Sequence, residues 1–172
     1  MTQTLGNAQL PHTEERLGEL IMYTELMRAC IRSAEADAKV DEWGVMCPVP
    51  VQVELTRNLF MTAYPRMVEI LQLLGSSSFM LTPTEVDFQG PMASHIEQYL
   101  ATDTASARDR VKLFRLAWDI AGNAFGSRQV LYERFFASDP LTRARALIAM
   151  YSTDEVMERV RTFLHDDTEE ER

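Results

Sequence analysis

From Val111 onward, side chains that can line a buried face recur at alternating steps of three and four residues: Val111, Phe114, Trp118, Ala121, Phe125, Arg128, Tyr132 and Phe135. A strand, which repeats every two residues, cannot place these groups together, whereas a helix sets them in one stripe. The spacing predicts one continuous helix with a mostly aromatic seam of the bundle type. Ser106, with Asp109 three residues on, supplies an N-terminal box, Asp being a weaker partner than Glu. Gly122 and Gly126 fall one turn apart on an adjacent face and predict a close backbone approach there. Ser138-Asp139-Pro140 ends the helix, and residues 141–150 and 153–164 read as two shorter terminal helices.

Two more helical stretches precede this one. The first opens at Thr13, whose hydroxyl can cap free amides, and runs to about Ala38 with two apolar stripes, so it is covered from more than one side. Asp41-Glu42-Trp43-Gly44 and Cys47-Pro48-Val49-Pro50 break the pattern, because each proline removes a donor and restrains its predecessor. The second covers about Val51 to Leu74, where Pro65 predicts a kink just after Phe60 or Met61 rather than two separate helices. Thr82 to Met92 reads as an ordered loop, followed by a short helix near residues 93–101. Residues 1–12 are expected to be flexible, 13–164 to form one helical domain, and 165–172 to be a solvated, disordered acidic tail.

Charge narrows the partners. The 172 residues carry a net charge of −9, which argues against a nucleic-acid backbone or an anionic membrane as partner. No apolar run approaches the ~20 residues of a membrane span, no signal peptide is visible, and two cysteines, Cys30 and Cys47, exclude a disulfide framework. A soluble cytoplasmic protein is the expectation.

Chemistry leaves fewer marks. His12, His95 and His165 lack helical neighbours at ligand spacing, so no metal site is expected. Phosphate-loop, nucleophile-elbow and dinucleotide signatures are absent from the sequence. Glu25, Arg28, Arg57, Asn58, Arg66, Arg115, Asp119 and Arg128 interrupt apolar surroundings; burying them demands ion pairs, and Arg57, Arg115 and Asp119 are the candidates for catalysis. Gly75-Ser76-Ser77-Ser78 reads either as a glycine-terminated helix with a polar turn or as a place where amides and hydroxyls receive a phosphate.

Several strings occur together. Leu17-Gly18-Glu19-Leu20-Ile21, Glu25-Leu26-Met27-Arg28-Ala29, Arg57-Asn58-Leu59-Phe60 and Tyr64-Pro65-Arg66-Met67 are followed by Leu113-Phe114-Arg115-Leu116-Ala117-Trp118-Asp119, Phe125-Gly126-Ser127-Arg128-Gln129 and Leu131-Tyr132-Glu133-Arg134-Phe135-Phe136. In that order they resemble the C-terminal domain of the 4-hydroxyphenylacetate 3-monooxygenase large-component family, two-component flavin-dependent hydroxylases related in fold to the acyl-CoA dehydrogenases. The resemblance implies an all-α, antiparallel four-helix bundle that assembles into a tetramer. It also implies reduced FAD held between domains and a phenol site upstream of the bundle. It starts at the family's second bundle helix, so the first bundle helix, the β-rich domain and the N-terminal domain are expected from elsewhere.

Two cofactor segments carry across from the resemblance. Asp139-Pro140-Leu141-Thr142 is similar to a flavin-contacting turn. The family often has Gly-Asp-Pro-Val-Arg there; this chain has Ser138 and Thr142, with Arg143 one position later, which takes away a fork that could pair with phosphate. Gly75-Ser76-Ser77-Ser78 resembles the segment that, in the wider superfamily, approaches a neighbouring subunit's flavin.

Three functions compete. One is a C-terminal module of a flavin-dependent aromatic monooxygenase, completed by a separately encoded N-terminal subunit or by the rest of a longer chain. Another is a repurposed bundle that binds an apolar small molecule, with a non-redox reaction as one option. The third is a structural oligomerisation unit. A homo-oligomer, dimer or tetramer, is expected in every case, because an uncovered stripe would exceed the few hundred Å² of apolar patch usual on a monomer.

Overall fold

In the computed structural model, which describes residues 1–166, every long element is helical. A single turn, α1 (Thr2–Leu5), precedes α2 (Pro11–Ala36). Helix α2 starts two residues ahead of the expected Thr13 because Pro11 takes the first helical position, where its fixed φ suits the helix and its missing N–H is no loss. Thr13 is instead buried in the first turn, and its hydroxyl has no hydrogen-bond partner. The segment expected to be flexible through residue 12 is thus partly helical, with Thr2 buried and the Thr104 hydroxyl donating to the Gln3 carbonyl at 3.4 Å. At the other end, the acidic tail lies outside the described residues except for His165 and Asp166, which continue the last helix.

The break after α2 is a small hairpin, β1 (Lys39–Val40) against β2 (Met46–Cys47), that the sequence pattern had not signalled. Asp41 builds its turn: Oδ1 accepts the Trp43 and Val45 amides at 3.0 and 2.8 Å, and Oδ2 accepts the Cys47 thiol at 3.4 Å. Helix α3 (Pro50–Gly75) then runs through Pro65 as a single helix. Arg66, next to that proline, fixes α3 to α2 with a two-pronged pair, Nε and Nη2 to the two Glu19 oxygens at 2.8 and 2.9 Å.

A 3₁₀ turn (Ser76–Phe79) and a loop lead to α4 (Ala93–Leu100), α5 (Ala107–Ala121) and α6 (Ala124–Phe135). Ser106 caps α5 as expected, its Oγ accepting the Asp109 amide at 3.1 Å. The long seam helix, however, is two helices. Asn123 turns its side chain onto the Gly126 amide at 2.7 Å and starts α6 afresh, the local competition that makes Asn a capping residue. Gln72 of α3 meets the carbonyl freed at Ala121, at 2.6 Å. Helices α7 (Pro140–Met150) and α8 (Asp154–Asp166) follow.

Helix α3 is the hub, packing against α2, α5, α6 and α7. The core lies on its inner face, where Ala63, Ile70 and Leu74 meet Phe79, Phe114, Ala117 and Ala121. Phe79 sits 6.0 Å from Phe114 and 6.1 Å from Trp118, ring centre to ring centre. Elsewhere burial is thin. The chain exposes 12443 Å², against roughly 8,600 Å² for a compact monomer of its mass. Every described side chain of α8 is exposed.

Candidate functional site

The candidate cofactor turn is built by Asp139, which ends the preceding loop and caps α7. Its Oδ1 accepts the Thr142 amide at 3.0 Å and its Oδ2 accepts the Thr142 hydroxyl at 2.6 Å; these bonds hold the carboxyl below the usual aspartate range. The start of α7 is therefore already served by an anion of its own. What the turn offers outward is Leu141, 69% exposed, beside Pro140. Tested against a flavin, this donor set fits an apolar contact with a ring and does not fit a phosphate.

Arg143 is committed inward. Its Nη1 donates to both oxygens of Glu54 on α3, at 3.0 and 3.1 Å, and its Nη2 donates to the Ala137 carbonyl just ahead of the turn. Glu54 is 3% exposed and is also approached by Arg57 at 3.5 Å and by the Asn58 amide at 3.4 Å. One buried carboxylate thus joins two places the sequence had treated separately, the Arg57 candidate and the Asp139–Thr142 turn. Glu54 itself was missed. The available signal was its spacing: Glu54, Met61 and Val68 are seven residues apart and all buried, so the acid shares a core-facing stripe.

Arg115 and Asp119 lie elsewhere, one turn apart on α5, along an open groove of about 390 Å³ that Glu85, Phe88, Arg108 and Lys112 also line. Arg115 ties the long loop to the helix by donating to the Thr82 and Pro83 carbonyls at 3.2 and 2.9 Å. Asp119 accepts the Asn123 side-chain amide at 3.1 Å, which supports the break between α5 and α6. Arg57 lines a different cleft with Ile31, Ala34 and Pro48. The three catalytic candidates do not converge on one centre.

Gly75-Ser76-Ser77-Ser78 is first of all a packing device. Gly75 is buried, and a Cβ there would lie 1.7 Å from the Phe79 ring. Ser76 takes φ 47°, a conformation that L residues seldom hold, and this swings the chain out of α3 so that Phe79 can turn back into the core. Ser76 and Ser77 remain exposed at the corner. From Glu54 to Gly75 the helix rises roughly 30 Å at 1.5 Å per residue. The two candidate cofactor segments therefore stand at opposite ends of α3 and cannot both reach the reactive ring of one flavin within a single copy. The close approach expected at Gly122 and Gly126 is present: a Cβ would meet the Trp118 ring at 2.3 Å and the Ile120 carbonyl oxygen at 2.5 Å, respectively.

Among the described residues no His, Cys, Asp and Glu side chains group as a metal site, and no helix is long and apolar enough to cross a membrane. A hub helix wrapped by α2, α5, α6 and α7, with the two candidate segments at its ends, defines an all-α helical-bundle module. The chain belongs to the 4-hydroxyphenylacetate 3-hydroxylase C-terminal family, whose model it matches over residues 1–165. It is 39% identical over 166 residues to the 4-hydroxyphenylacetate 3-monooxygenase oxygenase component of Thermus thermophilus, covering 96% of this chain and 34% of that protein. It is 37% identical over 169 residues to a probable 4-hydroxyphenylacetate 3-monooxygenase of Bacillus subtilis, covering 98% and 35%. A crystal structure of an oxygenase component of 4-hydroxyphenylacetate 3-monooxygenase, complexed with FAD and 4-hydroxyphenylacetate, superposes with a TM-score of 0.92 at 37% identity, over 99% of this chain and 36% of that one. An archaeal 4-hydroxybutyryl-CoA dehydratase, 15% identical, shares the fold with a TM-score of 0.79. The chain spans about a third of the length of the relatives it matches.

Proposed function

We propose that this chain works as the C-terminal module of a flavin-dependent aromatic hydroxylase, forming part of the FAD site and the assembly surface while other polypeptide supplies the rest of the site. The carrying observation is the lack of convergence: Arg57, Arg115 and Asp119 serve separate contacts, and the two cofactor segments stand at opposite ends of α3. Pro140 and Leu141 would pack against the flavin of the same copy, and Ser76 and Ser77 would reach that of a neighbour. When bound, reduced FAD supplies the oxygen-activating chemistry. This chain's residues wall the flavin off from water and fix its position.

Sharing a flavin between copies requires an oligomer, and the apolar faces of α6 and α8 are the surface for it. Val156, Met157, Val160, Phe163 and Leu164 line one side of α8, each about half or more exposed. Its charges pair within the helix, Arg159 with Glu155 at 2.5 Å and Arg161 with Glu158 at 3.4 Å. A free helix of 13 residues is marginal in water and needs such a face covered. The test is co-expression with a polypeptide carrying the missing two-thirds of the relatives. A yellow complex with bound FAD and phenol-dependent oxygen consumption is the expected result; a colourless chain that stays separate from every such partner refutes the proposal.

A further inference from the structure

We propose that Glu54 is a positioning residue for the Asp139–Thr142 turn, acting through Arg143; this rests on the reading of that turn as a flavin contact. Nothing in the turn's own sequence holds it against α3. The turn is capped internally by Asp139, and Leu141 and Thr142 point to solvent. Helix α7 packs on α3, and the polar connection from the turn to that hub is one guanidinium. Arg143 reaches two acceptors on different elements at once, the Glu54 carboxylate on α3 and the Ala137 carbonyl on the far side of the turn. The planar fork is what allows this, because a point-charge ammonium on the same stem satisfies one direction only.

Burial makes the arrangement directional. Glu54, with its side chain 4% exposed, is costly to leave unpaired, and Arg57 is a weak substitute at 3.5 Å and 54% exposure. Arg143 is thereby drawn inward, and the segment from Ala137 to Thr142 follows it. The arginine that the family places one residue earlier is, at position 143, a strut beneath the turn and not a phosphate ligand.

Two substitutions separate this role from general stability. Arg143→Lys keeps a cation on Glu54 but cannot also hold Ala137. In the full chain it should leave the melting temperature nearly unchanged. Amide hydrogen exchange across 137–142 should rise about tenfold, while exchange around Ala117 in α5 stays as it was. Glu54→Gln should do the same with a larger loss of stability, and if that variant fails to fold, the lysine variant decides alone. In the flavin-loaded complex, Arg143→Lys should weaken FAD about fivefold and shift the flavin's visible circular dichroism. Unchanged exchange at the turn, or a uniform rise across the chain, overturns the proposal. A loosened turn with unaltered flavin affinity and spectrum also overturns it, since the strut would then position nothing. Failure of any complex to bind FAD sinks the function proposed above and leaves the strut itself to the exchange data.

Discussion

Along the seam through α5 and α6, Phe114 and Ala121 are 3% and 2% exposed, whereas Phe125, Tyr132 and Phe135 stand at 64%, 50% and 48%. The residue spacing is the same on both sides of Asn123, and so is the aromatic character. Helix α3 packs against both halves, and what sets the first apart is Phe79, folded back from the 3₁₀ turn onto Phe114 and Trp118. Beyond the break, Tyr132 and Phe136 stack on each other at 4.9 Å at the surface. Periodicity therefore says that a face has to be covered and says nothing about what covers it. In this chain the covered half is a scaffold, and the uncovered half is proposed as the contact surface for further copies and domains.

That contrast breaks first at the core. Ile70→Ala removes a fully buried side chain between α3 and its neighbours and should cost about 2–5 kcal/mol, read as a lowered midpoint in chemical denaturation. Phe135→Ala, on the open half, should change the isolated chain by less than about 0.5 kcal/mol. Equal losses at the two sites would mean that the halves are not different after all. Next comes Gly126, buried in the first turn of α6 just past the break between the two halves. Gly126→Ala drives a methyl to within 2.5 Å of a carbonyl oxygen that belongs to rigid backbone, so a loss of about 1–3 kcal/mol is expected.

A charge on the uncovered half sharpens the comparison from the other side. Val160→Asp places an acid in the middle of the α8 stripe. The isolated chain should keep its melting temperature within the scatter usual for surface changes. Light scattering should report the 19.7 kDa monomer where the unaltered chain gives a multiple of it. An unaltered chain that is already monomeric at high concentration would remove the surface role assigned to α8.

The helical class, the Ser106 cap and the ends of α3 were legible because each rests on local chemistry: period, hydroxyl capping, and a terminal proline or glycine. The misread points share a different cause. Thr13 looked like a cap, yet Pro11 two residues earlier settled the start of α2. The seam looked continuous because the side chains of Gly122 and Asn123 do not break a hydrophobic stripe, even though Asn123 takes the Gly126 amide and restarts the helix. Asp41's hairpin depends on three bonds to one carboxylate across six residues, which no alternation in two-residue strands can announce. Of the candidate site, the Asp139 turn is suggested by resemblance alone, while Glu54 went unnoticed because its partner lies 89 positions away.

The smallest effect concerns acid, and it probes the polar clamp that joins α2 to the hub helix. Glu19 sits under the fork of Arg66; the hydrogen bonds from that guanidinium hold its carboxyl below the ordinary 4.5, against a desolvation that acts the other way. Arg66 is pushed further up by the same contacts and stays charged throughout. A carboxyl whose folded value is lowered contributes stability in full above its unfolded value, and that contribution drains away as pH falls through the folded one. The docking of α2 on α3 should therefore be indifferent to pH near neutrality and weaken only below about pH 4. Exchange of the α2 amides near Glu19, followed between pH 6 and pH 3 and corrected for the intrinsic rate, should rise before that of α5, where Ala117 and Ala121 pack without a carboxylate. Arg66→Gln should abolish the difference between the two helices, because without the guanidinium nothing of comparable strength holds the Glu19 carboxyl below its unfolded value and folding loses its link to that proton. If α5 loosens first, or the glutamine variant keeps the same profile, the clamp does not hold α2 and the apolar contacts alone carry that interface.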